Sequence, residues 1–568
     1  MSVILGLSGN YHDAAAALVI DGKIIAAIQE ERISRIKNDP SLPFKSAQAC
    51  LQFAGINIAE VDQIYFYESP FLKLERVLLD LMRNFPQSCF RFPATMESQL
   101  GHKIWVRDHI SETLQCPRKQ VSYVIHHKSH AASAFLPGPF AEAAVLVVDG
   151  IGEKHTTTIW SGSSQGLELL DAIEFPHSLG LLYAAITAFL GFQVNEGEYK
   201  VMGLSAYGDA YRYLGEFTKI IQIQSDGSFE LNLRYFANFN DLTMAFGPEL
   251  EKVFGPRRPY AKPWDLSTQE DRHYADIAAA LQKITQQVML GLAYRALRLA
   301  NSENLCLAGG VALNVLSNAY IAQEIGRQNL FVQPAAGDAG GALGAALLGA
   351  FEQGDKLIET LNSAALGLGV DTALAVKMAK DLGFRYQRLN DPFGVSAGLL
   401  AKGKLLGLVH GRFEWGPRAL GQRSLLANPA NKEISNRLNR SIKKRELFRP
   451  FAPVVPASEL SQYFQGEANF MTPFMTTVLP SKPNTHRKLP AITHIDGTAR
   501  VQSVANSHIL ATLLDCFAEH TGEPILLNTS LNGAGEPIVA SAQDALLFFS
   551  ETPIDCLLIE DILITRNK

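Results

Sequence analysis

Cysteine is scarce: six in 568 residues. Cys50, Cys89, Cys116, Cys306, Cys516 and Cys556 are scattered, with no CxxC pair. That excludes a zinc knuckle and a vicinal redox couple, and it fits a reducing, cytoplasmic setting. Long hydrophobic runs are missing too. Stretches such as "AAVLVVDG" fall well short of the ~18 apolar residues that span a bilayer. "MSVILGLSGNYHD" has no basic segment of a signal peptide, so neither a membrane nor export is expected. No charge of one sign dominates. A net charge of −5 predicts no bulk attraction to nucleic acid. Core material is what remains. Hydrophobic residues make up 47% and charged residues 19%, a globular composition. One core rarely grows past ~250–300 residues, so two to four domains are expected.

The opening predicts strand, loop and hairpin: "SVILGLSG", "NYHD", then "AAAALVI" and "KIIAAIQEE" around Asp21-Gly22. The same order returns in "AAVLVVDG", "IGEKH" and a hairpin around Ser163, Ser164 and Gly166. A unit stated twice predicts two similar α/β halves. Helices follow in "GLLYAAITAFLGF" and in a long segment ending near Asn301. "NLCLAGGVALN" and "LFVQPAAGDAGGALGAALLGAF" each read as strand, loop, helix. "EQGDKLIETLNSAALGLGVD" breaks this rhythm, and helix/strand alternation restarts after it. A boundary is therefore expected there, giving domains 1–357 and 358–568.

"VIHHKSHAAS" sets His126 and His130 four apart, on one face if helical. Two ligands rarely suffice for an ion. Asp149 and Asp338, each after an apolar strand, sit where loop ends gather at an α/β sheet's active edge. The alternative is that His126 caps a helix and His130 packs in a core. Gly309 and Gly310, between strand and helix, would let backbone approach a ligand, and Asn314 could bond a ribose; tight strand–helix packing explains such pairs equally.

The C-terminal part is rich in cations. "HGRFEWGPRALGQRSLLANP" holds Arg412, Arg418 and Arg423; "NRLNRSIKKRELFRPFAP" holds Arg437, Arg440, Lys443, Lys444, Arg445 and Arg449; Arg500 lies in "DGTARVQSV". "LLNTSLNGAGEPIV" offers Asn528, Thr529, Ser530 and Asn532. Guanidinium forks bind phosphate or carboxylate. A solvated basic face accounts for Lys444 and Arg445. It fits Arg418 poorly, whose only nearby acid is Glu414.

Together these stretches, with "GEYKVMGLSAYG", "GPRALGQRSLL" and "FRPFAP", resemble the O-carbamoyltransferase family of antibiotic and Nod-factor biosynthesis, in family order along the whole chain. The resemblance implies an actin-like (ASKHA) duplicated α/β domain of the kind in tRNA threonylcarbamoyl transferases, followed by a YrdC-like α/β domain. It implies that the second domain converts carbamoyl phosphate and ATP, with Mg2+, to carbamoyl-adenylate. The first would pass the carbamoyl group to a hydroxyl of a small natural product. It further implies a divalent metal, Fe2+ or similar, on His126, His130, Asp149 and Asp338; an adenylate seat at Lys200, Gly309, Gly310 and Asn314; and carbamoyl phosphate and ATP at Arg418, Lys443, Arg449, Arg500, Asn528 and Ser530. Arg418, Lys443 and Arg449 are the expected catalytic cations. His12 is the candidate base for the acceptor, its alternative being a structural loop histidine. A homodimer is left open.

Two departures fall near the expected acceptor side. The family's "EERF-x-R-x-KH" reads "EERISRIKND", with Asn38 for a histidine, and the loop before His12 is short. A tRNA-modifying enzyme and an actin-like ATPase without group transfer are the alternatives. The first is disfavoured by net charge and by the whole-chain fusion. The second leaves the C-terminal arginines unexplained.

Overall fold

The structure, a computed structural model, describes residues 2–236, 246–357 and 360–567. Three large sheets organise it. The first contains β1 (Val3–Ser8), β2 (Ala15–Ile20), β3 (Lys23–Gln29), β4 (Gln63–Phe66) and β5 (Val121–Tyr123) in the order β3-β2-β1-β4-β5. Its hairpin strands pair antiparallel, and β4 and β5 join parallel. The second contains β6 (Ala143–Val148), β7 (His155–Ser163), β8 (Gly166–Glu174), β9 (Leu305–Ala308) and β10 (Leu330–Val332). Its order, β8-β7-β6-β9-β10, repeats the first strand for strand and sense for sense. The expected duplication is thus present as topology, an actin-like pair of α/β halves.

Strand β1 is buried along its length, and β6 likewise. Such continuous apolar runs are what a sheet covered on both faces requires. Helix α1 (His126–Phe135) and helix α3 (Asp338–Glu352) lie against each other between the two sheets. The intervening α2 (Gln269–Ala300) is capped by Thr268, which accepts from the Asp271 N–H, and ends in the left-handed Asn301.

The sequence explains the close α1–α3 contact. Helix α3 reads "DAGGALGAALLGAFE". A Cβ added at Gly344 would stand 1.8 Å from the Ser129 carbonyl oxygen, so only glycine admits this approach. Small side chains here set the distance between the two helix N-termini, and both termini carry candidate site residues.

The third sheet contains β11 (Arg385–Arg388), β12 (Leu406–Val409), β13 (Arg423–Ala427), β14 (Ala452–Pro456), β15 (Gln502–Val504), β16 (Leu526–Ser530), β17 (Cys556–Ile559) and β18 (Ile562–Thr565). Its order is β11-β18-β17-β12-β13-β16-β14-β15, a mixed sheet with its own apolar clusters. The boundary expected at 357/358 touches residues 358 and 359, which lie outside the described residues.

The segment after β3 ties the first sheet to this C-terminal part. Buried Arg32 donates to the Gly416 carbonyl at 2.6 Å. Arg35 donates to the carbonyls of Ile538 (2.7 Å) and Pro537 (2.9 Å). Both residues belong to "EERISRIKND", so the stretch that departs from the family pattern forms part of the contact between the halves. Asn38 itself donates to the Asn195 carbonyl at 3.3 Å.

Candidate functional sites

Four expected ligands converge. His126 and His130 are one turn apart on α1, Asp149 follows β6, and Asp338 opens α3. All four are buried. His126 Nε2 lies 3.0 Å from Asp149 Oδ2 and 3.1 Å from His130 Nε2. Asp338 Oδ1 lies 3.8 Å from His126 Nε2 and 3.6 Å from His130 Nε2. One ligand atom from each residue falls within 4.8 Å of all the others. Donors about 2.1 Å from a tetrahedral ion stand about 3.4 Å apart, so two imidazoles and two carboxylates at these separations fit a divalent cation. Two imidazole nitrogens facing each other in a dry site also call for a shared electrophile. The other ring nitrogens, Nδ1 of His126 and of His130, have no hydrogen-bond partner among the described residues.

The local electrostatics agree. Burial pushes the His126 imidazole down, yet Asp149 and Asp338 beside it prevail and hold it at about 9. Burial opposes ionisation of Asp149 too, but His126 and His130 keep its pKa well below the ordinary value. The pocket therefore favours positive charge between its carboxylates. Further groups frame it. The Gly310 N–H donates to Asp149 Oδ1 at 2.9 Å, and Tyr67 donates to Asp338 Oδ2 at 3.3 Å. Glu153 accepts from the backbone N–H groups of His126 (2.9 Å) and Ser69 (2.8 Å). Tyr67 carried no motif in the sequence; only the fold brings it here.

His12 reaches the cluster from the β1–β2 loop. Its Nδ1 is 3.0 Å from Asp13 Oδ2, and its Nε2 is 3.8 Å from Asp338 Oδ2. Burial opposes its charge, but Asp338 and Asp13 raise the imidazole to about 10. Gly309 stands at φ 87° directly against the Val148 carbonyl. Asn314 caps the helix Val315–Ile325 by accepting from the Ser317 N–H at 3.0 Å, and its amide donates to Gln282 at 2.9 Å. Those bonds engage both ends of a side chain expected to face a ribose.

A second cluster lies in the C-terminal part. Lys443 is buried. Its ammonium donates to Ser530 Oγ (3.1 Å), to the Ser530 carbonyl, and to Asn532 Oδ1 (2.7 Å) and the Asn532 carbonyl (3.1 Å). Asn528 and Ser530 share one face of β16, being two apart. Asn528 donates to Gln502 at 2.7 Å, and its side-chain oxygen is buried without a hydrogen-bond partner among the described residues. Burial holds Arg418 down at about 10, with Arg449 adding to the effect. Burial together with Arg418, Arg445 and Arg449 drives Arg500 well below the ordinary guanidinium value. Burial and then Arg445 and Arg449 do the same to Lys443. Cations that mutually disfavour one another inside a cleft await an anion.

Four sequence readings need correction. Arg445 is not a solvated cation. It is half-buried, donates to Asn439 at 2.7 Å, lies 4.7 Å over the Phe451 ring, and is held down at about 9, by burial first and then by Arg449. Arg412 and Arg423 are not free forks for an anion; backbone carbonyls occupy them, Gly367, Ile25 and Leu366 for the first and Ala540, His410 and Gly411 for the second. Glu414 is no partner for Arg418, because it accepts from the N–H groups of Leu420, Gln422 and Arg423 at 2.8–3.0 Å. Lys200, expected in the N-terminal adenylate seat, instead lies 3.1 Å from Glu446 beside the second cluster. Its neighbour Tyr199 packs under Arg449, 4.6 Å from ring centre to guanidinium. The helix Glu198–Leu204 thus lends both residues to the C-terminal site.

Comparison with known families decides what these two sites belong to. Residues 3–347 match the model of the carbamoyltransferase N-terminus, and residues 397–566 match that of the carbamoyltransferase C-terminus. The chain belongs to the carbamoyltransferase family. An uncharacterized protein of Synechocystis sp. is 40% identical across all of this chain and 97% of its own length. Nodulation protein NolNO of Sinorhizobium fredii is 36% identical, covering 98% of this chain and 79% of that protein. Nodulation protein U of the same species is 27% identical over 94% of each. Among solved structures, HypF of T. kodakarensis aligns over 63% of this carbamoyltransferase and 49% of its own chain, at 13% identity and TM-score 0.30. Among the described residues no helix is long and apolar enough to cross a membrane.

Proposed function

We propose that this carbamoyltransferase works in two stages, one at each cluster, and delivers the carbamoyl group to a hydroxyl of a small molecule. At the C-terminal cluster carbamoyl phosphate and water give carbamate and phosphate. A carbamate oxygen then attacks the α-phosphorus of ATP, forming carbamoyl-adenylate and expelling pyrophosphate. At the N-terminal cluster the acceptor oxygen attacks the carbamoyl carbon, its proton leaves to a base, and AMP departs.

The observation that carries this reading is the charge balance of the second cluster. Arg418, Lys443, Arg445, Arg449 and Arg500 crowd one cleft, against the carboxylates of Glu446 and, toward Lys443, Glu536. A triphosphate with Mg2+ and a second phosphoryl compound supply what such a cleft lacks. Ser530 and Asn532 hold the Lys443 ammonium in place, so its charge is oriented before substrate arrives.

At the first cluster His126, His130, Asp149 and Asp338 would hold the divalent ion, which supplies Lewis-acid charge beside a departing phosphate. The surrounding residues do the rest. Asp13 holds His12 through Nδ1 and leaves Nε2 facing the cleft; with a divalent ion offsetting the Asp338 charge that keeps the imidazole protonated, the neutral ring would be free to take the hydroxyl proton. Gly309 has no room for a side chain against the Val148 carbonyl, and so fixes the turn that aims the Gly310 N–H at Asp149. Carbamoyl-adenylate is a labile mixed anhydride, so making and using it within one chain limits its loss to water.

The purified protein incubated with carbamoyl phosphate, ATP and Mg2+ should release pyrophosphate. No pyrophosphate from folded protein with both co-substrates present would overturn the adenylate route.

A further inference from the structure

A large cavity opens on the first cluster. It has a volume of about 1040 Å3 and is lined at one end by His126, Tyr67 and Tyr11. Its walls come from the helix Pro70–Arg83, from residues 88–103 and from Phe175 and Pro176. That volume lies at the upper end of the 300–1,000 Å3 usual for a small-molecule site. It exceeds what a hydroxyl and an adenylate phosphate alone would require.

The charges of the lining do not cancel. Lys73 donates to both oxygens of Glu68 at 2.8 Å, so that pair is internally neutral. Among the described residues four further cations line the cavity, Arg76, Arg83, Arg91 and Lys103, against one further carboxylate, Asp80. Arg76 is the innermost in chemical terms. Its Nε is buried and has no acceptor among the described residues, while its guanidinium lies 5.6 Å over the Phe175 ring. A buried donor without an acceptor costs about 1–3 kcal/mol, and a ligand oxygen removes that cost. Apolar groups alternate with the cations: Tyr11, Val77, Leu81, Phe175 and Pro176. Such a wall suits a molecule with an apolar body and a negative group, and it disfavours a polyamine.

We propose that the hydroxyl acceptor of this enzyme carries an anionic group, phosphate or carboxylate, on an apolar body, and that Arg76 and Lys103 select it. This rests on the reading of the first cluster as the transfer site and adds the substrate's chemical class.

Binding to the full-length protein tests it, without ATP or carbamoyl phosphate, so that its failure and a failure of the transfer chemistry are read separately. The probes are anilinonaphthalene sulfonate and its uncharged counterpart phenylnaphthylamine, followed by fluorescence. Arg76→Gln should weaken the sulfonate by about tenfold and leave the uncharged probe unchanged. Competition with hydroxymethyl benzoate, hydroxymethylphenyl phosphate and hydroxymethyl benzamide then separates carboxylate from phosphate; the amide should compete worst. If Arg76→Gln fails to fold, Lys103→Gln serves, with the same expectation. Equal loss of both probes, no loss of either, or an amide that competes as well as the anions overturns the proposal.

Discussion

Lys200 Nζ stands 3.1 Å from Glu446 Oε1, so a helix that packs with the N-terminal half supplies a partner to the carboxylate inside the C-terminal cationic cleft. Arg449 approaches the same carboxylate at 3.7 Å. Glu446 is therefore the local counterweight to the cleft. Replacing it with glutamine removes a negative charge that competes with substrate. Glu446→Gln should bind pyrophosphate severalfold more tightly in calorimetry. Weaker binding would mean that Glu446 engages the anion through a bridging cation.

Lys443 and Arg418 should matter most for the first half-reaction. Lys443→Met keeps the volume and removes the charge, while Arg418→Ala removes the fork. Losing one donor aimed at developing charge costs about 10²–10³ in rate. Pyrophosphate release should fall by that order in each variant, with the melting temperature as the control for folding. Rates within a factor of a few of the parent would sink the assignment.

His130→Ala breaks the four-ligand set while leaving the C-terminal cleft intact. Bound divalent metal, read by mass spectrometry of acid-digested protein, should drop to background. The ratio of carbamoylated product to pyrophosphate should collapse. An unchanged ratio would place transfer elsewhere.

Gly344 should tolerate nothing larger. Gly344→Ala pushes a methyl group onto the Ser129 carbonyl, and overpacking of this kind costs about 1–3 kcal/mol. Chemical denaturation should show that loss, and metal content should fall as α1 and α3 part. A variant as stable as the parent would show that the helices yield without cost.

Asp555 gives a pH-dependent contribution. Burial opposes its ionisation, but the Leu405 N–H (2.8 Å), Arg437 (3.0 Å) and Lys404 (3.3 Å) lower its pKa. A carboxylate depressed in the folded state stabilises above its unfolded value of ~3.9 and loses that effect as pH falls through the folded value. Asp555→Asn should cost on the order of 1 kcal/mol at neutral pH and much less near pH ~2. An equal cost at both would mean that the effect is steric.

The two strand–loop–hairpin units were legible because alternation and turn residues are local signals, and both appear as sheets of identical order. The His126, His130, Asp149, Asp338 grouping was legible because the two histidines share a helix face one turn apart and the two aspartates sit at element ends, where a sheet collects its loops. What escaped was long-range. Arg412 and Arg423 look like Arg418 in a glycine-rich string, and only the fold shows that carbonyls occupy two of the three. Lys200 and Tyr199 escaped because their partners lie some 250 residues downstream. The helices Pro70–Arg83 and Phe92–Gly101, which help wall the large cavity, carry no motif that speaks of a ligand.

The hooks made by Arg32 and Arg35 onto the carbonyls of Gly416, Pro537 and Ile538 bear on how this enzyme can be cut or recombined. Expressing the halves as separate polypeptides would strip a dry guanidinium of its carbonyl and expose a cut face that was never made for solvent. Chimeras that exchange the C-terminal half between relatives would need to carry residues 30–38 with it, because that short strap belongs structurally to both sides of the seam.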